Sequence, residues 1–65
     1  MKNYPAAIKD FTKAIEIDKN DRLSYYHRAL AKIEIEDFES ACVDLSKAGE
    51  LGYTQAYEYI KSCCK

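Results

Sequence analysis

The run Tyr25-Tyr26-His27-Arg28-Ala29-Leu30-Ala31-Lys32, followed at 37 by Asp37-Phe38-Glu39-Ser40-Ala41, decides how this chain reads. Tyr25 and Ala29 are one helical turn apart. Leu23, Tyr26, Leu30 and Ile33 follow a neighbouring line, so residues 22–35 read as a helix with two apolar stripes. After it, Asp37 stands where an N-cap is wanted, and Phe38, Ala41, Cys42, Leu45 and Ala48 recur at spacings of three and four. That is a second helical face. Gly49 and Gly52 close it, and Gly52 is the better stop because glycine takes a positive φ at little cost.

Working outward, the second pattern returns at the start of the chain. A shift of 34 residues lays 3–17 on 37–51. Asn3 falls on Asp37, Tyr4 on Phe38, Ala7 on Ala41, Asp10 on Asp44, Phe11 on Leu45, Ala14 on Ala48 and Glu16 on Glu50. Apolar meets apolar, small meets small and charge meets like charge. The first segment therefore reads as a helix with Asn3 as its cap and Pro5 in the tolerant first turn. A polar break at Asp18-Lys19-Asn20-Asp21 separates it from the second. Beyond Gly52, a last helix is expected over about 55–64 after a Thr54 cap, with Ala56, Tyr59 and Cys63 on one line and Tyr57, Ile60 and Cys64 on the next. The fold class is all-α: four helices in antiparallel order, joined by short polar breaks.

Composition agrees. The chain has 65 residues, 48% apolar and 32% charged, with two glycines and one proline. That is one small domain, rich enough in apolar side chains to fold and too poor in turn residues for an all-β architecture. Ten basic and eleven acidic residues leave a net charge of −1, with the signs mixed along the chain. There is no basic stripe for nucleic acid and no polybasic segment for anionic lipid. Met1-Lys2-Asn3-Tyr4-Pro5 is not followed by the apolar core of a signal peptide, and no run has the length of a membrane span. A cytoplasmic location is the expectation. Three cysteines, an odd number, do not make a disulfide framework, so thiols are expected.

With its 34-residue period, the chain resembles the tetratricopeptide repeat family, in which a repeat is two antiparallel helices. Residues 22–55 match one whole repeat. Tyr25 takes the large aromatic position, Ala29 the small residue at the close contact, Phe38 the aromatic opening the second helix, and Ala41, Leu45 and Ala48 its packing residues. Residues 3–21 match the second helix of a preceding repeat, and residues 56–65 the first helix of a following one, as a C-terminal cap. The whole of 1–65 is then a single domain. The sequence departs from the family pattern at Arg28 and Lys32, where apolar or aromatic residues are usual. It departs again at Lys19, where a loop proline is usual, and at Glu36, where glycine is frequent.

The resemblance implies a protein–protein interaction module without enzymatic activity, cofactor or metal. Its concave surface carries one line of each first helix: Leu23, Tyr26, His27, Leu30, Ile33 and Glu34, continued by Tyr57, Ile60, Lys61 and Cys64. An apolar strip with aromatic members suits a helix or an extended peptide. It also suits packing against a neighbouring helix. Some family members clamp a peptide carboxylate with Lys, Arg and Asn; here Tyr26, Leu30 and Tyr57 hold the matching places, so that specificity is not expected. The first helix lacks its partner from the preceding half-repeat. Its face of Tyr4, Ile8, Phe11 and Ile15 leaves burial worth roughly 1.5–3 kcal/mol per large side chain unclaimed. Self-association through that face, as a homodimer, is one expectation; a place at the end of a longer array is the other.

A rival from a different class is a thiol-based redox or metal-dependent role for Cys42, Cys63 and Cys64. Such a role needs an ionised thiolate and usually a Cys-x-x-Cys or Cys/His set. Adjacent helical residues point about 100° apart, and His27 is the only histidine, so buried apolar thiols are the plainer reading. His27 could serve as a pH-sensitive contact or have no role. Glu34-Ile35-Glu36-Asp37 reads as a solvated helix end rather than a calcium loop, which needs more oxygen ligands and a tight glycine turn. No nucleophile–base pair, Gly-rich phosphate loop or HExxH supports catalysis.

Overall fold

A computed structural model describes residues 3–64. It holds four helices: α1 (Tyr4–Ile17), α2 (Arg22–Glu34), α3 (Phe38–Glu50) and α4 (Ala56–Cys63), with no strand among the described residues. Side-chain caps open the first two helices. The Asn3 side chain accepts from the Ala6 amide at 3.2 Å, and Pro5 lies in the first turn. Asp21 accepts the Ser24 amide and, at 2.7 Å, the Ser24 hydroxyl. That hydroxyl bond holds the Asp21 carboxyl below its ordinary range.

Two expected caps are corrected. Asp37 stands at the N-cap of α3, but its side chain makes no capping bond. Its backbone is already committed to ending α2, donating its amide to the Lys32 carbonyl at 2.8 Å. Thr54 does not cap α4 with its side chain either. A tight backbone turn opens that helix instead, Ala56 and Tyr57 donating to the Tyr53 and Thr54 carbonyls at 3.0 Å.

Helices α2 and α3 end in the same way. Glu36 donates to Ile33 and Asp37 to Lys32; Gly52 donates to Gly49 and Tyr53 to Ala48. Each is a Schellman closure, which puts one residue in the left-handed region. Gly52 is there at φ +104° and Glu36 at φ +64°. The closure of α2 thus falls on a residue that lacks glycine's freedom, where the tetratricopeptide pattern the sequence resembles has glycine.

Neighbours in sequence are neighbours in space: α1 packs on α2, α2 on α3 and α3 on α4. Contacts fall symmetrically about each turn, as antiparallel pairing requires. Thr12 and Phe11 meet Arg28 and His27. Arg28 meets Asp44, and Cys42 meets Cys64. The core is Ile15, Tyr25, Ala29, Ala41, Leu45, Ala48 and Ala56. Ala29, Ala41, Leu45 and Ala48 have no exposed surface. Small residues at the α2–α3 contact let the two backbones approach closely around Leu45, the largest side chain buried completely. Phe38, at the mouth of α3, remains 44% exposed. No helix is long and apolar enough to cross a membrane among the described residues.

Candidate protein-binding surface

A cleft of about 430 Å³ opens between α1 and α2 and is walled on one side by α4. Tyr4, Ala7 and Phe11 supply the α1 wall. His27, Leu30, Ala31, Ile33 and Glu34 supply the α2 wall, and Tyr59 comes from α4. These residues converge because Tyr4, Ala7 and Phe11 share one face of α1 at three- and four-residue spacing, as do His27, Leu30 and Glu34 on α2. The Phe11 and His27 rings stack at 5.8 Å. Tyr26 ties the walls together behind them, its ring 5.6 Å from His27, 5.7 Å from Tyr59 and 4.6 Å from Tyr53, all edge-on. Burial, reinforced by the Tyr59 hydroxyl, pushes the Tyr26 phenol up to about 12. Glu34 is the one charged group among the described residues that line the cleft.

The surface expected from sequence is partly reassembled. His27, Leu30, Ile33 and Glu34 line the cleft as a set. Leu23 lies outside it, 48% exposed. Tyr57 also lies outside: its ring covers Gly49, where a Cβ would stand 2.6 Å from the Tyr57 Cζ. Ile60 and Cys64 pack against the core, and Lys61 is exposed. Tyr4 and Phe11, expected to serve self-association, share the cleft with the α2 residues. Ile15, from the same set, is buried in the core at 8% exposure, and Ile8 is half-buried. Tyr59 is an addition; it was legible only as one member of an apolar line on α4.

A second cluster escaped sequence reasoning. Asp44, 3% exposed, sits in the α2–α3 contact. Arg28 donates to both its oxygens, Nε at 2.8 Å and a terminal nitrogen at 2.6 Å. Lys32 Nζ lies 2.9 Å away. The other Arg28 nitrogen donates to Thr12 Oγ1 at 3.1 Å, and Thr12 in turn donates to the Ile8 carbonyl. The guanidinium also lies over the Tyr25 ring, at 5.7 Å. The bond to Asp44 pushes the Arg28 guanidinium still higher than its ordinary value. One side chain thus joins α1, α2 and α3. The signal was present: Ala41, Asp44, Leu45 and Ala48 share one helix face, and Arg28 and Lys32 stand one turn apart on the facing helix.

The expectation that all three cysteines are thiols is overturned. Cys42 and Cys64 form a disulfide with Cα atoms 5.8 Å apart, and Cys63 alone is free. Spacing hid the pair. The two lie 22 residues apart and become neighbours only because α3 and α4 fold back about the Tyr53 turn. Cys63 remains beside them in a smaller cleft with Phe38 and Glu39.

Among known proteins, the chain is similar to neutrophil cytosol factor 2 of Bos taurus, with 41% identity over 46 residues. Those residues make up 71% of this chain and 9% of that protein, so the chain spans under a tenth of the relative's length. No protein-family model matches the chain, and no solved structure matches it.

Proposed function

We propose that this chain is a tetratricopeptide-type protein-binding module that takes an apolar helix or extended peptide into the α1–α2–α4 cleft. The observation that carries the reading is the convergence of Tyr4, Phe11, His27, Leu30, Ile33 and Tyr59, from three helices, around one open cavity. An apolar side chain of the partner fills such a cavity, and Glu34 at its side favours a basic residue alongside. In this reading 22–55 is the complete repeat, 3–21 and 56–65 are half-repeats, the chain is not an enzyme, and it works in the cytoplasm. Likeness to a short stretch of a cytosol factor supports that placement.

The test is a helical-peptide library selected on the chain, with affinity then measured by fluorescence anisotropy. Leu30→Ser is expected to weaken the selected peptide about tenfold or more, in line with the loss of one buried apolar side chain. Unchanged affinity in a folded Leu30→Ser chain refutes the cleft as the binding surface. Self-association through α1 would have to use what α2 leaves uncovered, chiefly half-buried Tyr4 and Ile8. Sedimentation of the chain over a hundredfold concentration range tests it, and a constant monomer mass removes it. The thiol-based reading has one specific observation in its favour, the Cys42–Cys64 pair.

A further inference from the structure

Helix α4 is the part of the cleft held least securely. It has eight residues, too few to persist alone in water. Its start is anchored by Ala56, which has no exposed surface, and by the Tyr57 ring lying over Gly49. Its end is anchored by half-buried Ile60 and by the Cys64 bond to Cys42 on α3. Tyr59, one residue before Ile60, forms the α4 wall of the cleft.

We propose that the Cys42–Cys64 pair is a redox latch on the binding cleft: closing it fixes the last turn of α4 and with it the Tyr59 wall, and opening it releases both. This rests on the cleft being the binding surface. In a reducing compartment the open form is the resting state, and a disulfide there is transient and regulatory. A peroxide closes it. One thiolate of the pair attacks the peroxide, giving a sulfenic acid and water; the other thiol then displaces a second water and the S–S bond forms. Two thiols and one hydrogen peroxide become one disulfide and two waters. A dithiol reductant reopens it. One thiolate of the reductant attacks Cys64 Sγ, and Cys42 leaves as a thiolate and takes a proton. The reductant's second thiol then gives up its proton and attacks the reductant sulfur bonded to Cys64, so that bond breaks, Cys64 leaves and is protonated, and the reductant ends as its own disulfide.

The experiment follows the 65-residue chain by nuclear magnetic resonance, after hydrogen peroxide and after excess dithiothreitol. The Tyr26–Tyr59 ring contact, present at 5.7 Å in the closed form, is expected to weaken at least twofold on reduction. The Phe11–His27 contact between α1 and α2 is expected to persist. Cys64→Ser should show the reduced pattern under peroxide, and Cys63→Ser should switch as the unaltered chain does. The latch is overturned by a Tyr26–Tyr59 contact of equal strength in both states. It is equally overturned by reduction abolishing the Phe11–His27 contact too, since the bond then holds the whole fold rather than α4. Alkylation of Cys42 and Cys64 after peroxide, read by mass spectrometry, also overturns it. None of these readouts needs a ligand, so failure of the latch is separate from failure of the cleft, which the Leu30→Ser affinity decides.

Discussion

Glu36 and Gly52 do the same job with unequal means. Both sit in the left-handed region after a helix, φ +64° and +104°. An L side chain there costs roughly 1–2 kcal/mol, and glycine's extra freedom in the unfolded chain returns part of that. Glu36→Gly is therefore expected to stabilise by about 1 kcal/mol, and Gly52→Ala to destabilise by about the same. Chemical denaturation of the two variants checks the pair; a Glu36→Gly chain no more stable than its parent defeats the argument. This position was visible in the sequence as a departure from a glycine, although the sign of φ was not. Tyr26 carries a second prediction. Its phenol is raised from 10.0 to about 12 in the folded chain, so the neutral form is favoured by folding. The stability this contributes is complete below pH 10 and is lost as pH climbs toward 12. Alkaline melts should show that loss, and Tyr26→Phe should lessen it; an unchanged alkaline midpoint in the variant counts against the Tyr26–Tyr59 contact.

The four helices themselves were legible, because each shows its face at three- and four-residue spacing and the three turns between them are marked by Asp, Asn or Gly. Legibility failed where a residue's role depends on a partner helix. Asp44 repeats Asp10 at the 34-residue period, yet Asp10 is exposed and Asp44 is not. The difference lies in α2, which offers Arg28 and Lys32 to the later carboxylate. Arg28 and Lys32, which look like misfits against the tetratricopeptide pattern the sequence resembles, are the matching half of the same device. A carboxylate this buried depends on its partners, so removing Arg28 should cost about 3 kcal/mol, the low end for a broken buried pair because Lys32 remains. Arg28→Met in an Asp44→Leu background should recover much of that loss, since an apolar pair leaves no unpaired charge. A denaturation series on the single and double variants measures the coupling directly. Additive losses would mean the two side chains do not support each other.

For the molecule as a whole, stability should be graded along the chain, because each helix leans mainly on its neighbours in sequence. The α2–α3 hairpin owns most of the core: Tyr25, Ala29, Ala41, Leu45 and Ala48, against Ile15 alone from α1 and Ala56 alone from α4. Native-state hydrogen exchange should therefore find the slowest amides at the facing centres of α2 and α3, around Ala29 and Leu45. Amides near Tyr4 and Ile17 in α1 should exchange faster, despite α1 being the longest helix at 14 residues. Length favours α1 and burial favours the central hairpin; burial should win, since helices this short gain most of their stability from packing. The disulfide adds a second gradient. It closes a loop of 22 residues, and a cross-link of that span contributes about 3 kcal/mol by restricting the unfolded chain. For a domain of this size that corresponds to roughly 12–24 °C in Tm. Calorimetry of the oxidised and reduced chains should show a shift of that order, while exchange still ranks the central hairpin above α1 in both states. An α1 as protected as α2 would mean that its exposed face is covered, and the self-associated form would then be the one in solution.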